Sequence, residues 1–297
     1  MQEDWLQIEG INISTLSPEL VDCVRFINDN IDKSGVHSVS NVASGMGDML
    51  IKRNNHPQEK VFWNMKHLFD YNKRDGDRLG DTLKNIRFKI ELLRKLYDKE
   101  HVIVFYNVQV KLHTSGITTM RFEPSLIHCF SIPPRRYDFK YMVIHTKLRP
   151  HADQSTSSIL AMKTQLKAFF LRFKPKHRIV ILGEKTMPSF SDIPTITTIY
   201  DECMALRKNN DIIDLTREGL FSAPDMAGLE EDMGIIRNAE LNVGVGHGGQ
   251  FCINLLFSPR SIYYCTPGLI NFSIQNPHMH VLTDMGAFFD LCKQITS

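Results

Sequence analysis

The chain has 297 residues, 42% of them apolar, enough to bury a substantial interior and more than a single core needs. Its 35 basic and 33 acidic residues leave a net charge of only +2, which excludes the broad basic footprint of a nucleic-acid binder and favours a small, locally charged ligand. No run approaches the roughly 18 consecutive apolar residues of a membrane-spanning helix, so none is expected.

The length predicts two lobes of roughly 140 to 150 residues each. The six cysteines, Cys23, Cys129, Cys203, Cys252, Cys265 and Cys292, are scattered without a CxxC pair. The opening "MQEDWLQIEG" has neither the basic start nor the apolar stretch of a secretory leader. The expectation is a cytoplasmic protein with reduced thiols, in which the sequons at Asn12 and Asn271 carry no glycan.

In chain order, "LSPELVDCVRFINDNI" has helical spacing, "VHSVSNVAS" alternates like a strand, and a glycine turn follows at "GMGDMLIKRN". "KVFWNM" reads as a strand. Leu83, Ile86, Ile90, Leu93 and Tyr97 then recur at helical spacing and predict an amphipathic helix over 78–98, followed by the strand "HVIVFYNV". The basic run "KNIRFKIELLRKLYDK" is the wet face of that helix, tempered by Glu91 and Asp98.

Pro133, Pro134 and two arginines mark a linker near 132–138, dividing the chain into domains 1–137 and 138–297. The second domain opens with the strand "YMVIHT". It continues with a helix in "SSILAMKTQLKAFFLRF", the strand "HRIVILG", a helix around "IYDECMALRKN" and the short strand "DIIDL". A helix follows in "DMAGLEEDMGIIRNAE", with Met226, Leu229, Met233 and Ile236 on one face and Asp225 placed to cap it. The strand "LNVGV", a glycine turn, the helix "QFCINLLF", the strand "SIYYC" and a terminal helix in "MGAFFDLCKQITS", able to cross back to the first lobe, complete the order. Alternating strands and helices of this kind define an α/β fold with parallel sheets.

The stretch "ELNVGVGHGGQFCINLLF" sets a glycine-rich turn between a strand and a helix. Such a turn lets a ligand approach the backbone and aims free N–H groups and the helix dipole at it, which suits a phosphate or pyrophosphate. "GVGHGG" is loosely GxGxxG, but it lies late in the chain and the next strand, "SIYYC", ends without an acidic residue to grip a ribose, which argues against NAD. The alternative is that the glycines allow tight packing of helix on strand and His247 is a solvated loop residue. His278 and His280, two apart in "NPHMHV", lack a third ligand at recognisable spacing, so no metal site is expected.

The turn "GMGDML" (45–50) after a strand resembles the G-x-G-D-hydrophobic turn that opens the heptosyltransferase-like group of GT-B glycosyltransferases. "IRNAELNVGVGHGGQFCINLLF", "RIVILGEK" and "DIIDLT" are similar in order and spacing to that group's later strand-and-turn steps. Where the group usually has D-S-G, this chain has Gly246, His247 and Gly248, and "VIHTKLRP" looks closer to the H-x-R step of fucosyltransferase-like enzymes with the same architecture.

The resemblance implies two Rossmann-like lobes facing a cleft and transfer of a sugar from a nucleotide-diphosphate donor to a saccharide acceptor, inverting and without a metal or other cofactor. It implies that Asp48, beside Gly47, is the base that takes the acceptor proton, the alternative being a helix cap. Lys147 and Arg149 would face the diphosphate with Lys185 nearby, and the backbone of Gly246, Gly248 and Gly249, with His247 and Gln250, would complete the anion site. Gly183, Glu184, Asp214 and Thr216 would lie against the nucleotide's ribose and base. The alternatives are a nucleotide-sugar epimerase or hydrolase on the same scaffold and a non-catalytic nucleotide-sugar-binding protein.

Overall fold

A computed structural model describes residues 18, 21–22, 46–55, 61–64, 87–89, 91–92, 94–97, 102–105, 119–121, 124–146, 178–183, 212–215, 225–245, 249–265 and 273–296. The chain divides into two compact units. One comprises Met1–Thr118 with His128–Phe130 and Pro224–Met226; the other comprises Thr119–Ile127, Ser131–Ala223 and Ala227–Ser297.

In the first unit, α1 (Met46–Asn55) is followed by β1 (Val61–Asn64), which pairs in parallel with β2 (Val102–Phe105). Both strands match apolar runs in the sequence. Between them, residues 87–89, 91–92 and 94–96 are helical. Phe88, Leu92 and Leu96 are buried there, while Arg87, Glu91 and Arg94 are exposed. Of the predicted stripe Tyr97 is described and buried, whereas Phe88, Leu92 and Leu96 were not part of it; Leu83, Ile86, Ile90 and Leu93 lie outside the described residues. Arg53 of α1 donates from Nε to the Leu96 carbonyl and sets its guanidinium 5.5 Å from the centre of the Tyr97 ring.

The second unit is built on six parallel strands. β3 (Thr119–Arg121) precedes them and pairs separately with β9 (Ser273–Gln275). The large sheet comprises β4 (Tyr141–Thr146), β5 (Arg178–Gly183), β6 (Ile212–Asp214), β7 (Leu241–Val245), β8 (Ser261–Tyr264) and β10 (Met279–Leu282). Their lateral order is β10-β8-β7-β4-β5-β6, and every neighbouring pair is parallel. Counted along the chain this is 6-5-4-1-2-3, the doubly wound order of Rossmann-like sheets.

Three described helices cover the sheet: α2 (Met226–Arg237), α3 (Gly249–Phe257) and α4 (Met285–Thr296). Both faces are covered, which is why "YMVI" and "IVIL" are apolar without alternation. Met142, Ile144, Leu241, Val243, Ile262 and Tyr264 face α4, which buries Phe288, Phe289 and Cys292 against them. The terminal helix thus packs on the sheet of its own unit. Asp284 caps it, its carboxylate accepting from Ala287 N–H at 2.7 Å.

The other face carries Tyr141, His145, Asn242, Gly244, Ser261 and Tyr263, under α2 and α3. All four residues of the predicted α2 stripe, Met226, Leu229, Met233 and Ile236, are buried. Two side chains of the sheet satisfy carbonyls at the end of α2: Tyr141 Oη donates to Ile235 O at 2.8 Å and Asn242 Nδ2 to Ile236 O at 2.9 Å. Burial drives the Tyr141 hydroxyl up from the ordinary 10.0 to about 12, with nearby Arg135 pulling down and Tyr137 pushing up. Residues 131–140 form neither helix nor strand; Tyr137 and Phe139 stack with ring centres 5.0 Å apart, and Arg178 lies 4.2 Å over Phe139.

Candidate functional site

The strand order fixes where a ligand has room. From β4 the chain proceeds outward to β5 and β6, and β7 restarts on the opposite side of β4 and proceeds to β8 and β10. The connections therefore diverge between β4 and β7, and a doubly wound sheet binds its ligand in that crevice, outside the carboxyl ends of the strands. Thr146 ends β4 and Val245 ends β7, so the switch point lies between the segments that continue into "KLRP" and "GHGG".

Several predicted site residues fall along this carboxyl edge. Gly183 ends β5 level with Thr146 and has φ 115°, a conformation that residues with a side chain rarely adopt. Asp214 ends β6, exposed, level with Ile181. Gly249 and Gln250 open α3, whose first-turn N–H groups have no partner within the helix. β7 ends at Val245, as the sequence places it, and α3 begins one residue earlier than expected, at Gly249.

Lys147, Arg149, Glu184, Lys185, Thr216, Gly246, His247 and Gly248 lie outside the described residues. In the first unit, α1 begins at Met46, so Gly47 and Asp48 are the second and third helical residues rather than members of a turn before the helix, and Gly47 is buried. His278 and His280 are exposed. Among the described residues no group of three or more His, Cys, Asp or Glu side chains could hold a metal ion.

Beneath the edge is a hydrogen-bonded layer that sequence reasoning did not single out. His145, Gly244 and Tyr263 stand side by side across β4, β7 and β8. A Cβ on Gly244 would fall 2.4 Å from two Tyr263 ring carbons and 2.8 Å from its hydroxyl oxygen, so the phenol lies across β7 in the space a side chain would occupy. Its ring is nearly parallel to the His145 imidazole, with centres 6.4 Å apart.

Asn254 of α3 closes the layer from above. Its Nδ2 lies 3.0 Å from His145 Nε2 and donates to Tyr263 Oη at 2.9 Å. With the amide nitrogen as donor, one proton is directed at each partner and His145 Nε2 is the acceptor of its bond. His145, Asn254 and Tyr263 are 4%, 0% and 2% exposed. Burial holds the Tyr263 hydroxyl well above its ordinary range, Cys265 and Cys252 add to the rise, and the Asn254 bond lowers it.

A signal for these residues was present in the sequence. Asn254 is the one polar side chain in the run "FCINLLF", and His145 is the first polar residue after the apolar run "YMVI". A polar group placed where everything else is buried has to be hydrogen-bonded.

Fold and edge together define a doubly wound α/β unit whose strand order reverses between β4 and β7. No protein-family profile, curated protein or solved structure matches the chain.

Proposed function

We propose that the protein is a glycosyltransferase that moves a sugar from a nucleotide-diphosphate donor to a saccharide acceptor. The observation that carries this reading is the reversal of strand order between β4 and β7, with the glycine-rich segment and the start of α3 immediately after β7. A crevice at such a point favours a phosphate-bearing ligand, because backbone N–H groups and the helix dipole face it. Under this reading Lys147 and Arg149, which follow β4 in the chain, neutralise the departing diphosphate, and the backbone of Gly246 to Gly249 together with His247 completes the anion site.

Gly183, Glu184, Asp214 and Thr216 then border the ribose and base, and Lys185 stands near the diphosphate with Lys147 and Arg149. Asp48 takes the acceptor proton as the sugar carbon is attacked and the nucleotide diphosphate leaves, in one inverting displacement. No metal is required in this scheme, since cationic side chains and amides stabilise the leaving group.

The test is a panel of UDP-, GDP-, ADP- and dTDP-sugars against the purified chain in EDTA, following thermal stabilisation and nucleotide release together. One nucleotide series is expected to stabilise the fold, by about 1.4 kcal/mol at tenfold over its Kd. Release should require an added acceptor, and Asp48→Asn should abolish release while leaving stabilisation unchanged. Stabilisation with no release under any acceptor would make the chain a nucleotide-sugar-binding protein. No shift at millimolar nucleotide would end the reading altogether.

A further inference from the structure

We propose that the buried His145–Asn254–Tyr263 cluster is a positioning device that fixes α3, and with it the first-turn N–H groups of that helix, against β4 and β8. The inference deepens the nucleotide-binding reading above and rests on it for the identity of the ligand.

Its geometry is specific. α3 has nine residues, and Asn254 is the sixth of them, five positions after Gly249. Every side chain of α3 from Phe251 to Phe257 is buried, and Asn254 is the one polar residue among them. Apolar contacts alone would tolerate small slides of so short a helix, because dispersion and burial have little directionality. A side-chain amide that must reach an imidazole on one strand and a phenol two strands away tolerates far less. Both bonds are made only at one height and one rotation of the helix.

Gly244 is what makes the arrangement possible. Tyr263 lies on β8 and His145 on β4, with β7 between them. A side chain at position 244 would occupy the space of the Tyr263 ring. With glycine there, the phenol reaches over β7 and its hydroxyl comes within reach of the same amide nitrogen that meets His145. Phe251, one turn before Asn254, sets its ring edge against Tyr263 with centres 5.1 Å apart and fixes the phenol from the helix side. None of the three polar groups needs to touch the ligand: they act by setting where the first-turn N–H groups of α3 stand.

The test has two readouts on the same variants. Tyr263→Phe removes one hydroxyl and keeps the ring; Asn254→Leu keeps the volume and removes both bonds. His145→Gln retains a hydrogen-bonding group near the Nε2 position, and His145→Leu does not. Amide hydrogen exchange of α3 in the ligand-free protein reads the positioning directly. Exchange is expected to rise about fivefold in Tyr263→Phe and more in Asn254→Leu, with exchange of β5 unchanged.

Titration with the nucleoside diphosphates of the panel reads the consequence. Affinity should fall about fivefold in Tyr263→Phe and about twentyfold in Asn254→Leu. His145→Gln should stay within about twofold of the parent, while His145→Leu falls with Asn254→Leu. A generally destabilised fold would raise exchange in β5 as well, and that outcome, or unchanged exchange in α3, overturns the proposal. Loosened α3 together with unaltered affinity overturns it too. If the parent chain binds no nucleoside diphosphate yet α3 alone loosens in the variants, the cluster is upheld as the tie of the helix and the nucleotide reading is what fails.

Discussion

At the scale of single residues, Gly244 shows how one position can have two physical explanations that only long-range structure separates. In sequence it is the first glycine of "GVGHGG" and invites a phosphate-loop reading; in the fold it is a strand residue whose missing side chain leaves room for the Tyr263 phenol. Nothing within β7 announces this, because the neighbour comes from β8, whose register is set by sheet pairing. Gly244→Ala places a methyl 2.4 Å from the ring carbons, closer than any real contact, and the ring cannot withdraw without losing Asn254 and Phe251. Overpacking of this kind costs about 1–3 kcal/mol. A urea titration should show that loss in Gly244→Ala, smaller when Tyr263 is also replaced by leucine because the clash partner is then more adaptable. Wild-type stability in the single variant would mean that the glycine serves the turn and not the phenol.

At the scale of elements, the strands and helices that were legible are those whose period is long enough to count. β4, β5, β6, β7 and β8 each match an apolar run, and α2 buries the four residues its spacing selects. The terminal helix was legible for the same reason, since Met285, Phe288, Phe289, Cys292 and Ile295 make one stripe. A stripe states that a partner exists without saying which, and its partner proves to be its own sheet. β3, β9 and β10 were not legible: "TMR" and "SIQ" are not apolar runs, unlike the equally short β6, and β10 carries exposed His280 within a run that also reads as a histidine pair. Such strands are specified by the neighbour they pair with rather than by their own composition. The dependence of the sheet on α4 is measurable. Phe288 is 1% exposed, so Phe288→Ala should destabilise the second unit by about 3–5 kcal/mol in denaturant unfolding. A loss below about 1 kcal/mol would show that the helix is not part of the cooperative core.

For the molecule as a whole, the order of β4 to β8 with α2, α3 and α4 could be read from the sequence, and with it the parallel sheet, whereas the floor of the site could not, because it joins residues 145, 254 and 263 that are distant in the chain. That same buried chemistry predicts how the protein responds to alkali. Burial raises Cys292 from 9.0 to about 12, Tyr141 from 10.0 to about 12, and Tyr263 well above 10.0. All three groups are neutral when protonated, and each holds its proton more tightly folded than unfolded. Below about pH 8 both states keep the protons and these groups add no pH dependence. As pH climbs through the unfolded values, the unfolded chain releases protons that the folded chain retains, so stability falls, first through Cys292 and then through the tyrosines, until the folded values near 12 are passed. The urea midpoint should therefore be level with respect to these groups up to about pH 8 and decline steadily above it. Tyr141→Phe should start about 1 kcal/mol lower at neutral pH, having lost its bond to the Ile235 carbonyl, and decline less steeply above pH 10. Tyrosinate absorbance should report the buried phenols only as the chain unfolds. If the parent and Tyr141→Phe decline in parallel, the buried hydroxyl of Tyr141 is not a source of the alkaline loss.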